Sequence, residues 1–175
     1  NEITFASNKI YLCFNETKWR PTYYFVEDDL VFKDEYERLK QMNECIKFFP
    51  TFTKKYSNPI DDALYYRLLF KPHDKLFPQL STSPIKGFYW GSTVVYSMLQ
   101  MALYMGIKEI YLMGMDFSFI VPEKFEINSM GRKDLICDGE VNHFHNKYRK
   151  IGEKWNAPNL EIQRKVFNNL NEYTI

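Results

Sequence analysis

The chain has 175 residues with 23 basic and 22 acidic side chains, and a net charge of +1 excludes the broad electropositive face of a general nucleic-acid binder. At 45% hydrophobic and 26% charged, it has the composition of a soluble globular domain large enough for its own core. No apolar run approaches the roughly 20 residues that a membrane-spanning helix needs.

Cys13, Cys45 and Cys137 are scattered and form no C-x-x-C pair, so neither a structural zinc site nor a disulfide framework is expected, and a reducing, cytoplasmic setting is. The 13 tyrosines and 15 phenylalanines suffice for an aromatic core, with some rings left to line a pocket for a planar or sugar-like ligand. The opening residues NEITFASN lack the basic and apolar parts of a signal peptide and begin inside an expected strand. The chain therefore reads as the interior of a longer protein.

Ile3 to Ser7 reads as a short strand, followed by a turn and a brief helix in SNKIYLCF, with Ser7 or Asn8 as its N-cap. Thr22 to Val26 is β-branched and aromatic, hence a strand, and it ends on Glu27-Asp28-Asp29. DLVFKDEYERLKQM has near-helical apolar spacing with acids early and bases late, as the helix dipole favours. Ile46 to Phe49 is a further short strand stopped by Pro50, and residues 51–62 are a polar loop. ALYYRLLF (63–70) is strand-like, with a helix left open.

Pro72, Pro78 and Pro84 punctuate a long irregular connection from Lys71 to Gly87, and such connections are often lids. GSTVVYSMLQMALYMG (91–106) is the clearest helix, begun by Gly91 to Thr93 and stopped by Gly106. Lys108 to Met115 reads as a buried strand running into Asp116, and residues 117–140 as a second long loop. PNLEIQRKVFNNLNEY closes the chain as an amphipathic helix, with Pro158 near N1 and Leu160, Phe167 and Leu170 on one face. Strands alternating with helices predict one domain of α/β class, with a mainly parallel sheet and lid-like segments at about 71–90 and 117–150.

In open parallel sheets ligands bind beyond the carboxyl ends of the strands. Ser7-Asn8, Glu27-Asp28-Asp29 and Asp116-Phe117-Ser118 would share that edge, and the helix beginning at Ser92-Thr93 would aim its N–H groups at the same place, as a phosphate site requires. The late segment NHFHNKYRKIGEKWN (142–156) holds two of the three histidines. A strand would put His143 and His145 on one face, but no acid or cysteine at ligand spacing supports a metal, so one of them is read as a general acid/base. Lys147, Tyr148, Arg149, Lys150 and Lys154 make the segment basic, either to close over an anion or as a solvated helix face. No P-loop and no nucleophile elbow is present.

The stretches ITFASNKIYLCFNETKWRPTYYFVEDD, GSTVVYSMLQMALYMGIKEIYLMGMDFSF and NHFHNKYRKIGEKWNAPNL resemble the MptE-like (6-hydroxymethylpterin diphosphokinase-like) family, which is similar to the bacterial lipooligosaccharide sialyltransferases. The resemblance implies a Rossmann-like nucleotide-binding fold with helices on both faces, and a sugar transferase using a nucleotide-sugar donor and a bacterial surface glycan or glycoprotein acceptor. It implies no metal and no cofactor. Carried over by position, Asn8 contacts the nucleotide, Glu27 or Asp28 its ribose or base, Ser92 and Thr93 the phosphate or sugar, and Asp116 the pocket floor. Ser118 stands where those transferases carry a phosphate-binding tyrosine, Tyr148 is the late-segment tyrosine for that role, and His143 or His145 is the base. Trp90 stands where they carry an arginine. The expected place is the cytoplasm, with association at the inner face of the membrane left open. Archaeal members suggest an alternative, a Mg²⁺-dependent pyrophosphokinase using Asp28, Asp29 and Asp116. A non-catalytic nucleotide-binding domain is the third expectation.

Overall fold

Four short strands, β1 (Phe5–Ser7), β2 (Tyr23–Phe25), β3 (Ile46–Pro50) and β4 (Ala63–Tyr66), pair in parallel in the order β1-β2-β3-β4 in the computed structural model, which describes residues 2–71, 73–129 and 131–170. The register runs Ala6–Tyr24–Lys47–Ala63 across the sheet. Both faces are covered, which is why the strand sequences are apolar almost without interruption. Alternate positions point to opposite faces. Tyr24, Val26 and Phe49 go to one, and Phe25, Phe48 and Tyr66 to the other.

Three crossovers lie on the first face. They carry a 3-10 helix at Asn8–Cys13, the pair α1 (Asp29–Asp34) and α2 (Tyr36–Gln41), and a second 3-10 helix at Thr51–Lys55. Tyr11, Phe32, Leu39, Met42 and Ile60 from these segments close the core over Tyr24 and Phe49. Parallel strands in strict sequence order with all crossovers on one side follow from the right-handed rule. The single helix expected over 29–42 is broken at Glu35, whose φ of −106° and ψ of 8° interrupt it.

α3 (Val94–Tyr104) covers the second face, with Val94 and Met101 against Phe25, Phe48, Tyr66 and Phe88. Thr93 caps its start by accepting the Val95 N–H. Gly106, at a φ of 73°, closes its end, with Gly106 N–H to Leu103 O and Ile107 N–H to Ala102 O. β5 (Leu68–Leu69) and β6 (Phe88–Tyr89) make a two-stranded parallel sheet. The buried amide of Gln100 clamps that sheet to α3. Its oxygen accepts from the N–H groups of Ser81 and Tyr89, and its nitrogen donates to the carbonyls of Tyr89 and Tyr96. The irregular segment leading into β6 is thus anchored at Ser81 and Tyr89; Pro72, at its beginning, lies outside the described residues. Gly87 enters β6 at a φ of 106°, where an added Cβ would meet the Arg67 carbonyl at 2.5 Å.

A third sheet is antiparallel: β7 (Phe125–Ile127), β8 (Lys133–Ile136) and β9 (Lys154–Asn156). It occupies part of the region expected to be loop, and His143 and His145 sit in the turns between β8 and β9, on neither a strand nor a helix. α4 (Leu160–Leu170) follows, with Asn159 as its cap through the Ile162 N–H, so Pro158 stands outside the helix and not at N1. The end of the expected closing helix, 171–173, lies outside the described residues.

The Rossmann-like expectation is corrected by this architecture. A doubly wound fold needs a strand on the far side of β1, so that strand order reverses there. Residues 108–115 were the expected strand, yet they join no sheet, and Tyr111 and Met113 are 87% and 93% exposed. The parallel sheet keeps its single running order, few helices flank it, and an antiparallel sheet stands beside it. Among the described residues no helix is long and apolar enough to cross a membrane.

Candidate functional site

Asn8 leaves β1 at a left-handed φ of 51°. Its carbonyl accepts the Tyr24 hydroxyl from the neighbouring strand. Burial raises the Tyr148 pKa, and the neighbouring Arg149 charge, the Lys9 backbone and the Asn8 side chain act against that. The Asn8 Oδ1 is itself buried without a hydrogen-bond partner. Lys9 is buried too, and its ammonium pairs with Glu153 at 2.6 Å and Glu35 at 3.4 Å. The end of β1 and the loop before β9 thus meet at the same place.

β2 ends on two acids that the period of two sends in opposite directions. Asp28 caps α1 through the Leu30 and Val31 N–H groups, and its other oxygen accepts Asn156 Nδ2 from β9 at 3.0 Å. That bond ties the antiparallel sheet to the carboxyl edge of the parallel one. Glu27 turns instead toward α3, accepting from Ser97 Oγ at 2.6 Å and the Tyr66 hydroxyl at 3.1 Å.

The loop between β8 and β9 supplies the chemistry. The His143 ring stacks on Tyr148 with centroids 3.7 Å apart and planes 13° from parallel. His143 Nδ1 lies 3.0 Å from Glu140 Oε1 and 3.1 Å from Arg149 Nη1. Arg149 Nη1 also donates to Glu140 Oε2 at 3.3 Å, and its guanidinium lies 4.0 Å from the Trp155 ring centroid. Burial lowers the His143 pKa, a carboxylate at Glu140 opposes that, and the charge of Arg149 reinforces it, leaving the ring below its ordinary 6.5. That shift favours the neutral form of the ring. Beside this group opens a cleft of about 250 Å³ lined by Glu123, Cys137, Asp138, Glu140, Arg149 and Trp155.

Asn8, Asp28 and His143 are thus brought together through Tyr148. The others are not. Thr93 is taken up in capping α3, and the Ser92 carbonyl accepts Gln163 Nε2 from α4 at 2.9 Å, so the start of α3 faces α4. Asp116 and Ser118 lie on an exposed loop, where Asp116 accepts the Ser118 N–H and Phe117 packs on Phe167. His145 Nδ1 accepts the Lys147 N–H, and its Nε2 lies 3.8 Å from Glu16. The single crevice is corrected to a smaller site, because residues 108–118 do not pair beside β1. Sequence reasoning missed Glu140, Lys9 and Asn156. Only Glu140, three residues before a histidine in a turn-rich stretch, carried a local signal.

Among the described residues no group of three or more His, Cys, Asp or Glu is placed to hold a metal ion. Asp28 and Asp29 are engaged with Asn156, and Asp29 further with Lys33 and Arg132, while Asp116 stands apart on its loop.

Glu27 gives a pH test of the core. Desolvation pushes its carboxyl up to about 7, against the hydrogen bonds from Ser97 and Tyr66. An unfolded glutamate titrates near 4.5, so between those values the folded chain keeps the proton longer, and stability falls as pH rises through that window. Glu27→Gln is expected to match the wild type at pH 4 and to be roughly 1–3 kcal/mol more stable at pH 8. Urea unfolding at both pH values checks this; parallel pH profiles for the two proteins would contradict it.

Fold and site together define a protein with a four-stranded parallel sheet beside an antiparallel one, in which a histidine, a carboxylate and an arginine gather on the loop between β8 and β9. No family model matches the chain, and no curated protein or solved structure matches it at a significant level.

Proposed function

We propose that this chain is a transferase domain that moves a sugar from a nucleotide-activated donor to a hydroxyl of a glycan or glycoprotein. The observation that carries the proposal is an imidazole, His143, whose pKa burial lowers and which stacks on Tyr148, a ring that lies near Asn8 and Asp28 beyond the ends of β1 and β2. Strand ends of this kind are where open parallel sheets bind ligands. The buried, unpartnered Oδ1 of Asn8 suits a ribose hydroxyl or a base amino group as donor. Three stretches of the sequence resemble the MptE-like family, which is similar to the bacterial lipooligosaccharide sialyltransferases, and that resemblance supports the same reading.

In the proposed reaction an acceptor hydroxyl loses its proton to His143 while its oxygen attacks the anomeric carbon. The bond from that carbon to the phosphate oxygen breaks, and the nucleotide leaves with its phosphate. A base that is neutral at working pH is what this step needs.

The test is thermal unfolding with CMP, UDP, GDP and ATP, each with and without Mg²⁺. One nucleotide, at tenfold its Kd and without Mg²⁺, is expected to raise Tm by about 3–6 °C. Absence of any shift at millimolar nucleotide would overturn the proposal. A shift that requires Mg²⁺ and ATP would favour diphosphate transfer instead, and binding without turnover of any donor sugar would leave a nucleotide-binding domain.

A further inference from the structure

His143 Nδ1 has two neighbours that make opposite demands on it. Glu140 Oε1, at 3.0 Å, can only accept, so it requires a proton on Nδ1. Arg149 Nη1, at 3.1 Å, can only donate, so it requires a lone pair there. Both cannot be satisfied at once, and the surroundings decide between them.

Arg149 has other partners. Its Nη1 reaches Glu140 Oε2 at 3.3 Å and its plane lies over Trp155. Glu140 has fewer ways out. Its side chain is 2% exposed, and Oε1 already accepts the Asn142 N–H at 2.7 Å. Burial alone would raise its carboxyl, but the hydrogen bonds from His143 and Asn142 and the charge of Arg149 hold it below the usual range. A buried carboxylate facing an imidazole lone pair would be repelled, whereas Nδ1–H to carboxylate is a charge-assisted bond, roughly twice the strength of a neutral one.

We infer that Glu140 is a positioning residue that fixes His143 as its Nδ1–H tautomer and so leaves Nε2 as the free lone pair, with the Tyr148 stack holding the ring plane. Arg149 neutralises Glu140 and keeps it in place. Lys9 is the other cation that acts on the ring. This inference deepens the transferase proposal: it identifies which nitrogen receives the acceptor's proton and why the base is ready before substrate arrives. His145 has the opposite arrangement, because its Nδ1 accepts a backbone N–H and its Nε2 therefore carries the hydrogen.

The experiment is long-range ¹H–¹⁵N correlation NMR of the histidine side chains in the ligand-free protein, over pH 5 to 8, for wild type, Glu140→Gln and Glu140→Asp. Wild-type His143 is expected as the Nδ1–H form and His145 as the Nε2–H form. Glu140→Gln is expected to shift His143 toward Nε2–H and to lower its pKa, and Glu140→Asp to restore the wild-type tautomer. In donor turnover, Glu140→Gln should lose about 10- to 100-fold in kcat with KM little changed. An Nε2–H form of His143 in the wild type would overturn the inference, as would a Gln variant with unchanged tautomer and pH profile. The wild-type spectrum needs neither substrate nor a folded variant, so it decides the tautomer even if the protein transfers no sugar.

Discussion

Replacing His143 with alanine is expected to lower sugar transfer by about 10²- to 10⁴-fold, the usual contribution of a positioned general base. His145→Ala should cost less than about threefold by the same scale, since its Nδ1 is engaged with the Lys147 N–H and leaves no free lone pair. Nucleotide affinity should stay close to wild type in both, because Asn8 and Asp28 stand just beyond β1 and β2 and are held by Tyr24, Leu30, Val31 and Asn156. Steady-state kinetics alongside calorimetric nucleotide titration separate the two effects. Equal damage from both substitutions, or turnover retained in His143→Ala, would remove the base assignment. His143 also leaves a mark on stability. Its lowered pKa means the unfolded chain takes up a proton first as pH falls below 6.5, so this group's contribution is lost on acidification and regained as pH rises.

Lys47→Met is expected to destabilise the fold by roughly 2–4 kcal/mol, the cost of leaving buried groups unpaired. In a 175-residue chain that corresponds to a fall in Tm of about 5–15 °C. Lys47, the second residue of β3, is fully buried. Its ammonium donates to the carbonyls of Leu39 and Met42 at the end of α2, and pairs with Asp62 Oδ1 at 2.7 Å. Methionine fills the same space but leaves those two carbonyls without a donor. Asp62→Asn should cost less, about 0.5–1.5 kcal/mol, because the pair is screened by water on its half-exposed Asp62 side and the ammonium keeps both carbonyl acceptors. Denaturant unfolding measures both. A loss below about 0.5 kcal/mol for Lys47→Met would mean that the ammonium does not hold the end of α2.

Lys47 also shows where sequence reading stops. A lysine inside IKFFP reads as a solvent-facing strand position, because nothing local says that a helix end will lie over it. Three of the strands were legible: β-branched and aromatic runs bounded by turn residues located β1, β2 and β3 within two residues, whereas the run 63–70, read as strand-like with a helix left open, is divided into β4 and β5 at Arg67. The two longer helices were legible from the same kind of local chemistry, through the Thr93 cap and the Gly106 stop of α3 and the amphipathic spacing of α4.

Residues 108–115 have the same apolar character as β3, and no local property separates them. β3 is buried because β2 and β4 supply ladder partners on both sides, while 108–115 pair with nothing and leave Tyr111 and Met113 in solvent. β7, β8 and β9 failed in the other direction, since their three or four residues, half of them charged or amide-bearing, carry too little pattern to read.

The sequence by itself determined the first strands as local elements, the acids and Asn8 that follow them, and a late segment that carries two histidines. Only the tertiary structure decided that Asp28 faces the site while Glu27 faces α3, that His143 meets Glu140, Arg149 and Tyr148 while His145 meets the Lys147 backbone, and that Asp116 stays outside. The physical reason is range. Propensity, capping and periodicity act over a few neighbouring residues, whereas a buried charge takes its partner from whichever element the packed core brings within hydrogen-bonding distance.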